Sequence, residues 1–301
     1  MTDKGDQMSD NQLGFEGMPR RLLQAAPSRL TTYLDCPRRY RFAYLDKPAP
    51  PKGPPWAHNS MGAAVHSALA NWWKLPLEQR TVNSAAGLLD RAWLLDGFRD
   101  DAQRDTARDR ARDMVTRYVA RLDPAVEPVG IERTVALKTD SAALFGRVDR
   151  IDDRQGVGLV VVDYKTGRHL LTVDDARTSL ALAIYAAAAE RTLRRPCRRV
   201  ELHHLPSGEV LSWEHTDEGL ARHLQRADSI ADEIAHLDER YKAGVGDEDA
   251  DDMYPARVGP LCGWCDYNRV CGVGSAATAP RNSWAAIEDS GRSAQPRQHT
   301  S

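Results

Sequence analysis

Residues 158–164 read Gly-Leu-Val-Val-Val-Asp-Tyr, with no polar alternation before Asp163. A strand wetted on one side alternates apolar and polar side chains. An unbroken β-branched run is a strand covered on both faces. The chain must therefore lay further structure over each side of this segment. Asp153-Arg154-Gln155-Gly156 supplies a turn just before it. Residues 144–152 and 131–138 alternate, so three successive strands are expected.

Helical periodicity dominates on either side. Residues 28–34 predict a short helix with Ser28 as N-cap, and residues 61–73 a helix with Val65, Leu69 and Trp72 on one stripe. The Trp72-Trp73 pair belongs to the core. Residues 85–98 and 103–122 predict two more helices. The second is laced with Arg104, Asp105, Arg108, Asp109, Arg112 and Asp113, the pattern of a solvated face. Downstream, an Ala-rich helix over 174–193 precedes a hairpin of residues 200–205 and 210–215, and a long helix covers 218–243. This order predicts an α/β fold, a small mixed sheet flanked by helices with a helical elaboration. The parts are a helical region over 26–125, a core over 126–245 and a Cys-rich segment over 246–274. Residues 1–25 and 275–301 show no periodic apolar pattern and are expected to lack fixed structure.

A formal net charge of −2 excludes a globally basic chain, so any nucleic-acid surface must be a local patch. No apolar run approaches the roughly 20 residues that span a bilayer, and the polar first residues lack the apolar stretch of a signal peptide. A cytoplasmic location without membrane contact is expected. There the five cysteines are metal ligands or buried thiols rather than disulfides. The chain has no Gly-x-x-x-x-Gly-Lys-Ser/Thr phosphate loop and so no motor of its own.

Asp163 and Lys165 lie two apart on the buried strand and project to one face. If the preceding strand pairs across the turn, Asp149 comes within reach of Asp163. Two facing carboxylates can hold a hard divalent cation such as Mg²⁺. A neighbouring lysine can orient an attacking water or stabilise charge on a phosphorane. An isolated Asp-x-Lys is commonplace; here it ends an apolar strand and follows a second acidic strand. Near the C-terminal end, Cys262, Cys265 and Cys271 form a Cys-x-x-Cys pair with a third thiol. This is a metal-site spacing that needs a fourth ligand, Cys36 or Cys197. Zinc and an iron–sulfur cluster both suit thiolates.

Together, Gly146-Arg147-Val148-Asp149-Arg150-Ile151-Asp152 and Asp163-Tyr164-Lys165-Thr166-Gly167 resemble the core of the RecB-like branch of the PD-(D/E)xK nucleases. Gly62-Ala63-Ala64-Val65-His66 resembles that branch's Gly-x-x-x-His helix, and Tyr185 its Gln-x-x-x-Tyr motif, although Ala181 replaces the Gln. Tyr33-Leu34-Asp35-Cys36-Pro37-Arg38-Arg39-Tyr40 is similar to the opening of branch members with a [4Fe–4S] cluster, the AddB and CRISPR-associated adaptation types. The resemblance covers most of residues 28–272.

It implies a restriction-endonuclease-like core with an iron–sulfur clasp joining the two ends through Cys36, Cys262, Cys265 and Cys271, zinc being the alternative. Cys197 is a lone thiol. It implies Mg²⁺ or Mn²⁺ at His66, Asp149 and Asp163 and catalytic roles for Asp149, Asp163, Lys165 and Tyr185, and Glu132 matches a further acidic position of the family. The implied activity is a single-strand DNA exonuclease of repair or recombination, with any helicase supplied in trans. A non-catalytic DNA-binding scaffold and a CRISPR spacer-processing nuclease stay open. Two arginine clusters suit a single-strand track: Arg29, Arg38, Arg39 and Arg41 among Tyr33, Tyr40 and Tyr44, and Arg191, Arg194, Arg195, Arg198 and Arg199.

Overall fold

The structure, a computed structural model, describes residues 22–244 and 246–288. In chain order the strands are β1 (Leu23–Ala25), β2 (Gly130–Lys138), β3 (Ala142–Arg154), β4 (Gly158–Lys165), β5 (Cys197–His204) and β6 (Glu209–Glu214). The helices are α1 (Pro27–Asp35), α2 (Pro37–Tyr44), α3 (Ala57–Trp73), α4 (Val82–Ala92), α5 (Asp101–Val119), α6 (Val173–Thr178), α7 (Leu180–Leu193), α8 (Asp217–Lys242), α9 (Asp247–Met253) and α10 (Gly272–Ala277). No helix is long and apolar enough to cross a membrane among the described residues.

The strand expected to be covered on both faces is covered on both. Val160, Val162 and Tyr164 of β4 pack with Val65, Leu69 and Trp72 of α3 and with Val115 of α5. Leu159 and Val161 pack on the other side with Leu182, Ala183 and Ala186 of α7. Each fully buried Val or Leu stabilises by about 1.5–3 kcal/mol relative to exposure, so covering β4 on both faces contributes substantially to the fold's stability. A third cluster joins β1, α1 and α8 through Ala25, Leu30, Ile230 and Ile234.

The six-stranded sheet runs β1-β3-β4-β5-β6, with β2 also on β3. β3 is the longest strand, and its two edges are used differently. One edge pairs antiparallel with β2 from Ala143 to Ile151. On the other edge β1 pairs in parallel with Ala142–Leu144, and β4 pairs antiparallel with Arg150–Arg154. Residues 145–149 of that edge thus lie in a gap between two partner strands. Extending the β3–β4 register one step beyond Arg150↔Val162 sets Asp149 opposite Asp163.

Four expectations need correction. Leu23 and Ala25, assigned to a structureless tail, are buried in the sheet, because three residues suffice for an edge strand but are too few to show a period. Residues 275–288 are likewise ordered: Ile287 packs on Ala57 and Ala107. Residues 1–21 and 289–301 lie outside the described residues. Ser28 is not the N-cap of α1; Ala26 is, with Pro27 at the first helical position, where its missing N–H costs nothing. The 174–193 helix is two helices, because Ser179 turns extended and its hydroxyl accepts from the Leu182 N–H to start α7 afresh.

Candidate active site

The gap in β3 is where the candidate residues meet. Asp149 is held by both carboxylate oxygens: Oδ1 lies 3.1 Å from His66 Nδ1, and Oδ2 accepts the Tyr164 backbone N–H at 2.8 Å. The side chain thus takes a hydrogen bond that a regular ladder would give to a carbonyl. α3 brings His66 in, edge-on to the Tyr164 ring at 5.9 Å. Close approach needs Gly62, where a Cβ would sit 3.3 Å from Thr166 Oγ1 in the loop after β4. With Nδ1–H donated to Asp149, His66 Nε2 carries the lone pair a cation needs.

Glu132 on β2 is the third member. It adopts φ +49 inside a strand, a left-handed conformation uncommon for a non-glycine and typical of functional sites. Its carboxylate pairs with Arg147 at 2.7 Å. Donor atoms of His66, Glu132 and Asp149 fall within 4.8 Å of one another, a grouping able to hold a metal ion. Asp163, on the neighbouring strand, is one-fifth exposed and has Lys165 Nζ 2.7 Å from its Oδ2. Apart from that ion pair the buried oxygen has no partner among the described residues. An imidazole, two carboxylates and a third carboxylate on the neighbouring strand fit a hard divalent cation.

Crowding of acids shifts their protons. Burial, reinforced by the charge of Asp149, raises the Glu132 pKa against the pull of Arg147 and His66. Burial also raises Asp163, with Lys165 opposing and Asp149 adding to the rise. Burial disfavours a charged His66, yet the hydrogen bond and charge of Asp149 outweigh it and raise its pKa. Tyr185 on α7 covers the gap: a Cβ on Gly146 would lie 2.4 Å from its Cε1. Burial and the charges of Asp163 and Asp149 raise its pKa. Ala181, one turn earlier on α7, offers no polar group.

His66, Glu132, Asp149 and Tyr185 border a cleft of about 1140 Å³, walled by α3, α5, the loop of Thr166–Arg168 and the segment of Ala286 and Ile287. Its cationic rim is Lys74, Arg110, Arg117, Arg147 and Arg168. The sequence reading missed this rim, taking the charges of α5 for a solvated face. Arg110 and Arg117 are seven apart and flank the buried stripe of Ala107, Ala111 and Met114, a spacing that put them beside the core edge. The arginine–tyrosine cluster read as a track is instead internal. Tyr33 and Tyr40 are buried, Arg29 pairs with Asp238, and Arg38 and Arg41 pair with Asp251. In the second cluster Arg195 pairs with Asp153, Arg198 with Glu190 and Asp217, and Arg199 with Glu201.

Cys36, at the α1–α2 junction, lines one cavity of about 100 Å³ together with Cys262, Cys265 and Cys271. Cys36 Sγ accepts the Arg257 N–H at 3.5 Å, tying the early segment to the late one across the cavity rim. Cys197 lies apart in the core, where burial and then Glu190 push its thiol up to about 12.

A sequence profile of the PD-(D/E)XK nuclease superfamily matches residues 24–272. Among solved structures, a candidate exonuclease from Eubacterium rectale aligns at 12% identity over 80% of this chain and 88% of its own, with a TM-score of 0.44. No curated protein sequence matches the chain. The profile spans both ends of the sheet and every residue of the cleft centre, and on that match the chain belongs to the PD-(D/E)XK nuclease superfamily.

Proposed function

We propose that this chain is a Mg²⁺- or Mn²⁺-dependent DNA nuclease that hydrolyses single strands from an end, in repair or recombination, on strands opened by another protein. The observation that carries the reading is the meeting of His66, Glu132 and Asp149 within 4.8 Å, beside the Asp163–Lys165 pair, in an arginine-rimmed cleft. His66, Asp149 and Asp163 hold the cation, with Glu132 added to the set. A divalent cation there supplies Lewis-acid polarisation of the phosphodiester and eases deprotonation of water. Lys165, 2.7 Å from Asp163, orients the attacking water and offsets charge gathering on the phosphoryl oxygens. Tyr185 fixes the scissile phosphate against β3. The cationic rim binds neighbouring phosphates without regard to base.

Cys36, Cys262, Cys265 and Cys271 are proposed as ligands of a [4Fe–4S] cluster. The tight three-donor group among the described residues is the carboxylate–imidazole one; the thiols instead surround a shared cavity. That wider arrangement favours a cluster over a single zinc, whose bonds of about 2.3 Å draw four sulfurs close. The clasp closes a loop of most of the chain, which lowers unfolded-state entropy.

The test is cleavage of end-labelled single-stranded oligonucleotides with Mg²⁺, Mn²⁺ or EDTA. Asp149→Ala and Asp163→Ala should abolish it. Lys165→Ala should retain DNA binding and lose most of the rate, since it removes a group needed mainly in the transition state. A Lys165→Ala protein as fast as the wild type refutes the catalytic assignment.

A further inference from the structure

One face of β4 presents Val160, Val162 and Tyr164 to α3 and α5. The first two are apolar, whereas the buried Tyr164 hydroxyl needs hydrogen-bond partners. Trp73 Nε1 donates to it at 3.3 Å and Arg150 Nη1 at 3.2 Å. Arg150 is itself buried, forked onto Asp152 at 2.9 and 3.0 Å and donating to the Tyr118 hydroxyl oxygen at 3.2 Å. The Tyr118 hydroxyl lies 2.7 Å from His203 Nδ1, and His203 Nε2 lies 3.0 Å from Glu201. Arg154 joins the set by donating to Asp152 and Glu201, each at 2.9 Å. Well-packed apolar side chains of the same volume often stabilise a core as much or more, so stability alone does not account for this network.

Tyr164 connects this network to the cation ligands. Its ring meets the His66 ring edge-on at 5.9 Å, and its backbone N–H donates to Asp149 Oδ2 at 2.8 Å. His66 arrives on α3 and Asp149 on β3, and Tyr164 touches both. We propose that Tyr164 is a positioning residue of the cation site: anchored through its hydroxyl by Trp73 and Arg150, it holds His66 and Asp149 at the separation a divalent ion needs. This rests on the cation-site reading above. The hydroxyl anchors fix the ring against His66 and steady the peptide whose N–H orients Asp149. Loss of the anchors leaves every ligand in the chain but loosens the geometry between two of them, which weakens metal binding before it touches the chemistry.

The experiment compares wild type with Tyr164→Phe, which keeps the ring and deletes both anchors. Mn²⁺ is titrated into the full chain without DNA, with free ion read by electron paramagnetic resonance. Cleavage of a single-stranded oligonucleotide is followed over a Mg²⁺ series. The Mn²⁺ dissociation constant and the half-saturating Mg²⁺ concentration should both rise by about tenfold or more. The rate at saturating Mg²⁺ should stay close to that of wild type, since every proposed ligand and Lys165 remain. Val160→Ala, a cavity on the same face of β4, is the control: it should lower the unfolding midpoint and leave both metal constants unchanged. Tyr118→Phe, one step further from the ligands, should raise the Mn²⁺ constant by less, and it carries the test should Tyr164→Phe not fold. Unchanged metal constants in the folded tyrosine variants, or an equal rise in Val160→Ala, overturn the positioning role and leave the nuclease reading standing. Mn²⁺ binding by wild type without cleavage overturns the nuclease reading, while the Mn²⁺ constants still decide the role of Tyr164. Absence of Mn²⁺ binding by wild type overturns both.

Discussion

Gly146→Ala isolates the contact between β3 and Tyr185. A Cβ at Gly146 would lie 2.4 Å from Tyr185 Cε1 and 3.2 Å from its Cζ, whereas ordinary contacts begin near 3.4 Å. The ring must therefore retreat by about 1 Å, against the packing of α7 on the sheet. Overpacking of this kind costs about 1–3 kcal/mol. At roughly 2–4 °C per kcal/mol for a chain of this size, the unfolding midpoint should fall by roughly 2–12 °C. A displacement of about 1 Å in a positioning group can slow catalysis by up to about 10²-fold. Gly146 does not adopt a positive φ, so alanine alone would stabilise by about 0.4–1 kcal/mol through the unfolded chain.

The sign should therefore reverse when Tyr185→Ala is already present: Gly146→Ala becomes neutral or stabilising in that background. Thermal unfolding by circular dichroism and release of labelled nucleotide from a single-stranded oligonucleotide complete the double-mutant cycle. Equal cost of Gly146→Ala in both backgrounds, or no change in either readout, refutes the contact as the reason for glycine there.

Purified anaerobically, the protein should be brown and carry iron. Cys36→Ala should lose the colour and most of the stability, while Cys197→Ala keeps the iron and costs about 1 kcal/mol for a small cavity; equal iron loss from both rejects the ligand set. Charge reversal at Arg117 should weaken DNA binding alike for all sequences and lower the salt slope by about 1, read from binding isotherms at several salt concentrations. Reversal at Arg38 should act instead through stability, because it breaks the pair with Asp251.

Acid stability should hinge on Glu201. Burial opposes its charge, but His203 and Arg154 win and hold its carboxyl far below the usual carboxylate range. A depressed folded pKa contributes stability that is present above the unfolded value near 4.5 and is lost as pH falls below it. Glu201→Gln should flatten the dependence of urea midpoint on pH between about 3 and 5; an unchanged slope contradicts this. Cleavage should rise from mildly acidic to neutral pH, since raised pKa values on Glu132, Asp163 and His66 make protons compete with the cation. A flat rate profile over that range argues against these ligands.

Much of this protein was legible because the informative signals are local. An apolar run ending in Asp163 and Lys165 reports burial on both faces, and strand alternation with a four-residue turn sets Asp149 on the neighbouring strand. Periodicity likewise marked α3 and hence the reach of His66. What periodicity cannot report is which charges end opposite one another across long stretches of chain. Arg29 reads like a DNA ligand until Asp238, 209 residues away, neutralises it, while Arg117 reads like a solvated residue until the fold turns it toward the cleft. Glu132 gained its place from a left-handed backbone residue, and residues 281–288 gained order from contacts with α3, α5 and the loop after β4. Both depend on surfaces that exist only once the sheet and its helices have assembled, because a short segment has too few apolar groups to order itself.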